Sequence, residues 1–211
     1  MTLQAHQISC VRGERQLFSG LDFTLQAGQA LRVRGANGVG KTTLLRALCG
    51  LAPVEQGDIR WQGRTIRACR DDYYRHLIYL GHAAAIKDDL LAWENLAHGA
   101  HLRGATLSRA AALHSLAALG LARAALLPAR ALSQGQRKRL VLARLYGAEG
   151  LAAPLWILDE PFSALDQDAS AALCATLNAH FARGGMLVYT THQEVLLQPA
   201  QAHDICLERP C

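Results

Sequence analysis

The chemistry-bearing residues fall into three groups. Gly35-Ala36-Asn37-Gly38-Val39-Gly40-Lys41-Thr42-Thr43 fits G-x-x-x-x-G-K-[ST], a spacing that binds phosphate. Its glycines let successive backbone N–H groups converge on phosphate oxygens without Cβ clashes, and a helix starting at Lys41 presents its positive end to the same anion. Lys41 is expected to reach the β and γ phosphates of a nucleotide, and the Thr42 hydroxyl to ligate Mg²⁺. Farther along, Leu155-Trp156-Ile157-Leu158 runs into Asp159-Glu160. That pattern puts two carboxylates at the C-terminal end of a buried strand, where open parallel sheets bind their ligands. Asp159 would hold Mg²⁺, directly or through water, and Glu160 would polarise the attacking water. The third group is Ser133-Gln134-Gly135-Gln136, ahead of an apolar, basic helix. Taken alone it reads as a helix N-cap; in company with the other two it offers a second anion site, made by Ser133 and the amides near Gly135.

These groups need a scaffold. Gln29 to Arg34 alternates like a strand entering the glycine loop, and Leu44, Leu45, Ala47 and Leu48 give the following helix an apolar face. Residues 3–11 and 21–26 read as two strands about a turn at Gly13 that lead, antiparallel, into the sheet of strand 29–34. Helix 41–50 stops at Gly50, and strands follow at 58–62 and 76–80. From about Ala92 to Leu127, Ala and Leu dominate at helical spacing, which predicts an inserted helical segment with helices near 92–102 and 108–119, the second capped by Ser108. A helix after Gly135, strand 155–158, helix 167–182, strand 186–191 and a last strand near 203–208 complete the pattern. The expected fold is α/β: a P-loop NTPase (RecA-like) core at about 1–91 and 150–211, with an antiparallel β lead-in and a helical insert at about 92–149, together forming a single domain.

At 211 residues and 51% apolar composition, the chain can bury a sizeable core. No run reaches the ~18 apolar residues of a membrane span, and the N-terminus lacks the features of a signal peptide. The six cysteines, Cys10, Cys49, Cys69, Cys174, Cys206 and Cys211, have no metal-ligand spacing and read as reduced, mostly buried thiols. The formal charge of +5 is spread among dispersed basic residues with few aromatics, which argues against nucleic acid as a partner.

Leu132-Ser133-Gln134-Gly135-Gln136, with Asp159-Glu160-Pro161, Ser163-Ala164-Leu165-Asp166 and Thr190-Thr191-His192, resembles ATP-binding cassette proteins, with the motifs in the family's order over nearly the whole chain. The resemblance implies an ATP- and Mg²⁺-dependent ATPase whose sites form between two copies facing each other. It also implies that Ser133, Gly135 and Gln136 address the γ-phosphate held by the second copy, that Asp166 is the cross-dimer aspartate, and that His192 is the switch histidine contacting γ-phosphate. The sequence departs from the family's pattern at three places. Gln134 replaces the usual glycine, Arg12 stands where most members stack an aromatic on adenine, and His82 stands where most carry Gln. A guanidinium can also lie over a base. Leu80-Gly81-His82, Trp93-Glu94-Asn95-Leu96 and Trp156 to Phe162 further resemble the branch that serves c-type cytochrome biogenesis. That branch implies a peripheral protein on the cytoplasmic face of the bacterial inner membrane, working with a polytopic membrane subunit and haem-handling maturation proteins. His98 and His101 read as exposed helix residues rather than haem ligands. A soluble cassette ATPase acting on ribosomes or nucleic acid would be expected to carry tandem cassettes or coiled coils.

Overall fold

The computed structural model describes residues 1–83, 85–146 and 154–208. Cys211 and the expected core boundary near 149–150 lie outside them. In chain order the elements are β1 (Thr2–Arg12), β2 (Arg15–Gln26), β3 (Gln29–Arg34), α1 (Lys41–Leu48), β4 (Gln56–Trp61), β5 (Arg64–Thr65), α2 (Arg70–Arg75), β6 (Leu77–Leu80), α3 (Ala92–His101), α4 (Arg109–Ala118), α5 (Gln134–Tyr146), β7 (Leu155–Leu158), α6 (Gln167–Ala182), β8 (Met186–Thr190) and β9 (Gln201–Cys206). They form two compact units. One comprises Met1–Gly81, Ala153–Pro161 and Asn178–Cys211, and the other His82–Ala152 and Phe162–Leu177.

The first unit contains two sheets, and the expected antiparallel lead-in is a sheet of its own rather than an entry into the sheet of β3. β1 is paired antiparallel on both sides, by β2 and by β4, in a four-stranded sheet β2-β1-β4-β5, while β3 has both its edges taken by β8 and β9 and so belongs to the other sheet. β2 also starts at Arg15 rather than 21. The tight turn at Gly13 pairs Arg12 with Arg15 at once, and the strands then absorb register shifts near Ile8 and Cys10 that break the sequence alternation. Two short elements were unforeseen. β5 is only two residues long, and α2 is a polar helix that buries little besides Tyr73, whose hydroxyl donates to Leu48 O at 2.7 Å.

The second sheet has the order β6-β7-β8-β3-β9, and all its pairings are parallel. β7 and β8 are buried at every residue, because a central parallel strand is covered on both faces, hence the uninterrupted apolar run 155–158. Leu31, Val33, Leu44, Leu45, Leu48, Ile157 and Val188 join one core, each worth roughly 1.5–3 kcal/mol on burial. In register, Leu80 lies beside Leu158, Leu158 beside Tyr189 and Val33 beside Thr190, so the segments that follow β6, β7, β8 and β3 all leave the same end of the sheet.

In the second unit α3, α4 and α5 pack on one another around Leu96, Leu116, Leu140 and Leu145. Ser108 Oγ accepts from Ala111 N at 3.2 Å and caps α4. Buried Asn95 fixes the approach to α3: its side-chain oxygen accepts from Lys87 N, and its amide donates to the carbonyls of Lys87, Leu90 and Leu91.

Candidate nucleotide site

The glycine loop leaves β3 at Gly35, where an added Cβ would lie 2.5 Å from Leu207 O and 2.9 Å from Val39 Cγ1. Gly40, at φ +116°, begins α1 without any side-chain cap, and a Cβ there would press on Leu17 at 3.1 Å. The free helix end and the close backbone approach are what an anion cradle requires. Ala36, Asn37 and Gly38 are exposed, Val39 is buried as the loop's anchor, and Thr43 is half-buried in the first turn of α1.

A continuous set of polar contacts follows. Lys41 Nζ donates to Gly35 O at 2.8 Å and Ala36 O at 3.2 Å, and lies 3.5 Å from His192 Nε2. Thr42 Oγ1 donates to Asp159 Oδ2 at 2.7 Å. Asp159, buried at the end of β7, also accepts from Thr190 Oγ1 at 2.8 Å, and Thr190 Oγ1 in turn accepts from Glu160 N at 2.8 Å. Glu160 Oε1 is 3.3 Å from His192 Nε2. Glu160 holds φ +48°, a left-handed conformation costing a non-glycine residue about 1–3 kcal/mol, of the kind concentrated at active sites. Lys41, Thr42, Asp159, Glu160 and His192 are thus brought together within one unit. Thr190 is the member that sequence reasoning left without a role, although the Thr190-Thr191-His192 motif marked its place. The Thr42 hydroxyl and Asp159 carboxylate form the hard-oxygen pair that suits Mg²⁺, which takes one or two protein oxygens beside phosphate and water. Among the described residues no group of three or more His, Cys, Asp or Glu could hold a metal by itself.

Other expected residues stand apart from this set. Arg12 is exposed at the tip of the β1–β2 hairpin. His82, also exposed, begins the second unit. In that unit Ser133 Oγ accepts from Gln136 N at 3.2 Å while Gln136 Oε1 accepts from Ser133 N at 2.9 Å, a reciprocal capping box that opens α5 beside Gly135. Asp166 Oδ1 accepts from Ala169 N at 2.8 Å, capping α6, and its other oxygen lies 3.5 Å from Arg139. Of the cysteines, Cys10, Cys49 and Cys69 are buried as expected, but Cys206 is exposed on the edge strand β9. No helix among the described residues is long and apolar enough to cross a membrane.

A phosphate loop, a strand-end Asp-Glu pair and a histidine two residues past the end of the neighbouring strand, gathered at one end of a parallel sheet, define a nucleotide-hydrolysing site. Residues 18–163 match the family described as ABC transporter, and the chain belongs to that family as an ATP-hydrolysing member. Within it, the chain is 48% identical over 205 residues, 97% of its length and 99% of the relative's, to the cytochrome c biogenesis ATP-binding export protein CcmA of Dechloromonas aromatica. It is 43% identical over 97% of its length to CcmA of Escherichia coli K12, of which it covers 96%. The fold matches a putative ABC transporter ATP-binding protein from Pyrococcus furiosus with TM-score 0.81, at 21% identity and 98% coverage of both chains. It also matches the dimeric, post-hydrolysis state of an ATP-binding cassette bound to ADP and Pi, with TM-score 0.77, at 21% identity and covering 90% of this chain and 88% of that one.

Proposed function

We propose that the chain is the energy-coupling ATPase of a membrane complex serving c-type cytochrome biogenesis, with its 211 residues acting as one cassette. The observation that carries the catalytic part is the gathering of Lys41, Thr42, Asp159, Thr190, Glu160 and His192: hydrogen bonds run from Thr42 through Asp159 and Thr190 to the Glu160 backbone, and His192 Nε2 lies within 3.5 Å of Lys41 Nζ and 3.3 Å of Glu160 Oε1. In this reading residues 35–43 cradle the phosphates, and Lys41 exchanges its loop carbonyls for phosphate oxygens. Thr42 and Asp159 would hold Mg²⁺, which would supply positive charge against the phosphate oxygens. Glu160 takes the proton of the attacking water, and His192, in contact with both Glu160 and Lys41, orients that carboxylate and the γ-phosphate.

The assignment to cytochrome biogenesis rests on the relatives' printed names and the near full-length match. It brings a polytopic membrane subunit, haem-handling proteins and a position on the cytoplasmic face of the inner membrane as the proposed setting. Ser133, Gly135, Gln136 and Asp166 then complete the site of a second copy. Arg12 lies over the adenine, and His82 passes the nucleotide state to the membrane subunit.

Glu160→Gln tests the catalytic part. It should retain ATP binding and slow hydrolysis by roughly 10²-fold or more, because the carboxamide cannot accept the water's proton while the phosphate loop is untouched. Turnover near that of the unsubstituted chain would remove Glu160 from the mechanism.

A further inference from the structure

Arg34, the last residue of β3, belongs to no motif. On a strand it shares a face with Arg32, while Leu31 and Val33 between and before them are buried. Asp204, opposite Arg32 on β9, is already engaged: Arg32 donates through Nε to Oδ1 at 2.8 Å and through Nη2 to Oδ2 at 3.1 Å. This fork occupies both carboxylate oxygens and fixes the Arg32 charge. Arg34 Nη1 reaches the same carboxylate only at 3.9 Å, and its side chain is 52% exposed. Its charge is therefore poorly compensated.

The two arginines line a cleft of about 210 Å³ together with Gly35, Lys41, His192 and Glu194. Arg32, Arg34 and Lys41 line the cleft; Asp204 is taken up mainly by Arg32, and the one lining carboxylate, that of Glu194, is 91% exposed and 3.8 Å from Arg32, so water screens it. Arg34 shares this cleft with Lys41 and His192, the pair assigned to the γ-phosphate. A small multivalent anion leaving Lys41 by this route would exchange one cation for the next.

We propose that Arg34 heads a release subsite for inorganic phosphate. The inference rests on the hydrolytic reading above: water's oxygen bonds to the γ-phosphorus, the bond to the β–γ bridging oxygen breaks, and ADP, hydrogen phosphate and a proton result. The hydrogen phosphate then passes from Lys41 to Arg34 while ADP remains on the loop.

The test is calorimetric titration of inorganic phosphate into the full chain saturated with MgADP, for the unsubstituted protein, Arg34→Gln and Arg34→Lys. Arg34→Gln should weaken phosphate binding about tenfold and Arg34→Lys no more than about threefold, since a charge-assisted contact is lost in one and kept in the other. MgADP affinity, which a merely structural role would lower, should stay within about twofold. Equal phosphate affinity in the unsubstituted chain and Arg34→Gln, or no phosphate binding to either, overturns the proposal. So does a loss confined to a non-hydrolysable ATP analogue, which would put Arg34 on the substrate's γ-phosphate. Failure of the hydrolytic reading is recognised separately, by full turnover in Glu160→Gln.

Discussion

Thr190 shows how much of the site depends on a residue that performs no chemistry in it. Its hydroxyl donates to Asp159 and accepts from the Glu160 backbone, so one oxygen fixes both acidic residues at the end of β7. Thr190→Val keeps the shape and removes both bonds. Buried Asp159 loses a donor, and stability should fall by about 1–3 kcal/mol, read from denaturant midpoints. MgATP hydrolysis should fall with it, because the carboxylate proposed to hold Mg²⁺ is freed to rotate. An unchanged midpoint would mean that Asp159 is held by Thr42 alone. The sequence made Lys41, Thr42, Asp159 and Glu160 legible because their types and spacing carry the chemistry. It did not reveal the Thr190 linkage, because a contact spanning 31 residues depends on strand register, which short motifs do not encode. Arg34 was passed over for the same reason: its meaning comes from Asp204 on a strand 170 positions away and already paired with Arg32.

At the level of elements, helices and central strands were readable wherever one face or a whole run is apolar, as in α1, β7 and α6. β5 and α2 were not, since two residues and one polar turn give no period to detect. The joint between α6 and β8 was also hidden. His180, near the end of α6, stacks on Trp156 with ring centroids 3.8 Å apart, and its Nε2–H donates to Met186 O at 3.2 Å. Desolvation pushes the imidazole down from 6.5 to about 4, so the folded protein keeps it neutral. The unfolded chain takes up that proton below about 6.5, so the stabilisation is fully present above that pH and is lost as pH falls toward 4. The loss amounts to about 3 kcal/mol. His180→Phe should keep much of the stacking and flatten this slope. Denaturant midpoints at pH 7 and pH 5 give the comparison, and equal pH dependence in both proteins would exclude His180 as its source.

For the whole molecule, the class of fold was legible from the order of motifs, whereas the separation into two sheets was not, because it turns on β3 finding distant partners, β8 and β9, along both edges. The division of function proposed above has its own signature. The phosphate loop and the capping box of α5 lie in different compact units, and in the two-copy arrangement each site takes one from each chain. Mixing Lys41→Ala chains with Ser133→Arg chains should therefore restore part of the activity that each lacks alone, since every heterodimer that forms holds one site carrying both lesions and one carrying neither. For the same reason specific activity should climb as protein concentration rises. Absence of any recovery, with a monomer that turns over at the full rate, would overturn the shared site.

Glu160 sits where a glycine would be the less costly occupant, its backbone at φ +48°. Comparing Glu160→Gly with Glu160→Ala isolates that cost: both lack the carboxylate, yet only glycine relaxes the left-handed turn, and its thermal midpoint should be the higher by an amount equivalent to about 1 kcal/mol. Identical midpoints would mean the turn is unstrained. If the difference is found, heat resistance and turnover make opposing demands on a single codon. A library of this chain screened only for solubility or survival on heating would then drift toward an inert protein, and only a screen that also demands turnover would keep the glutamate.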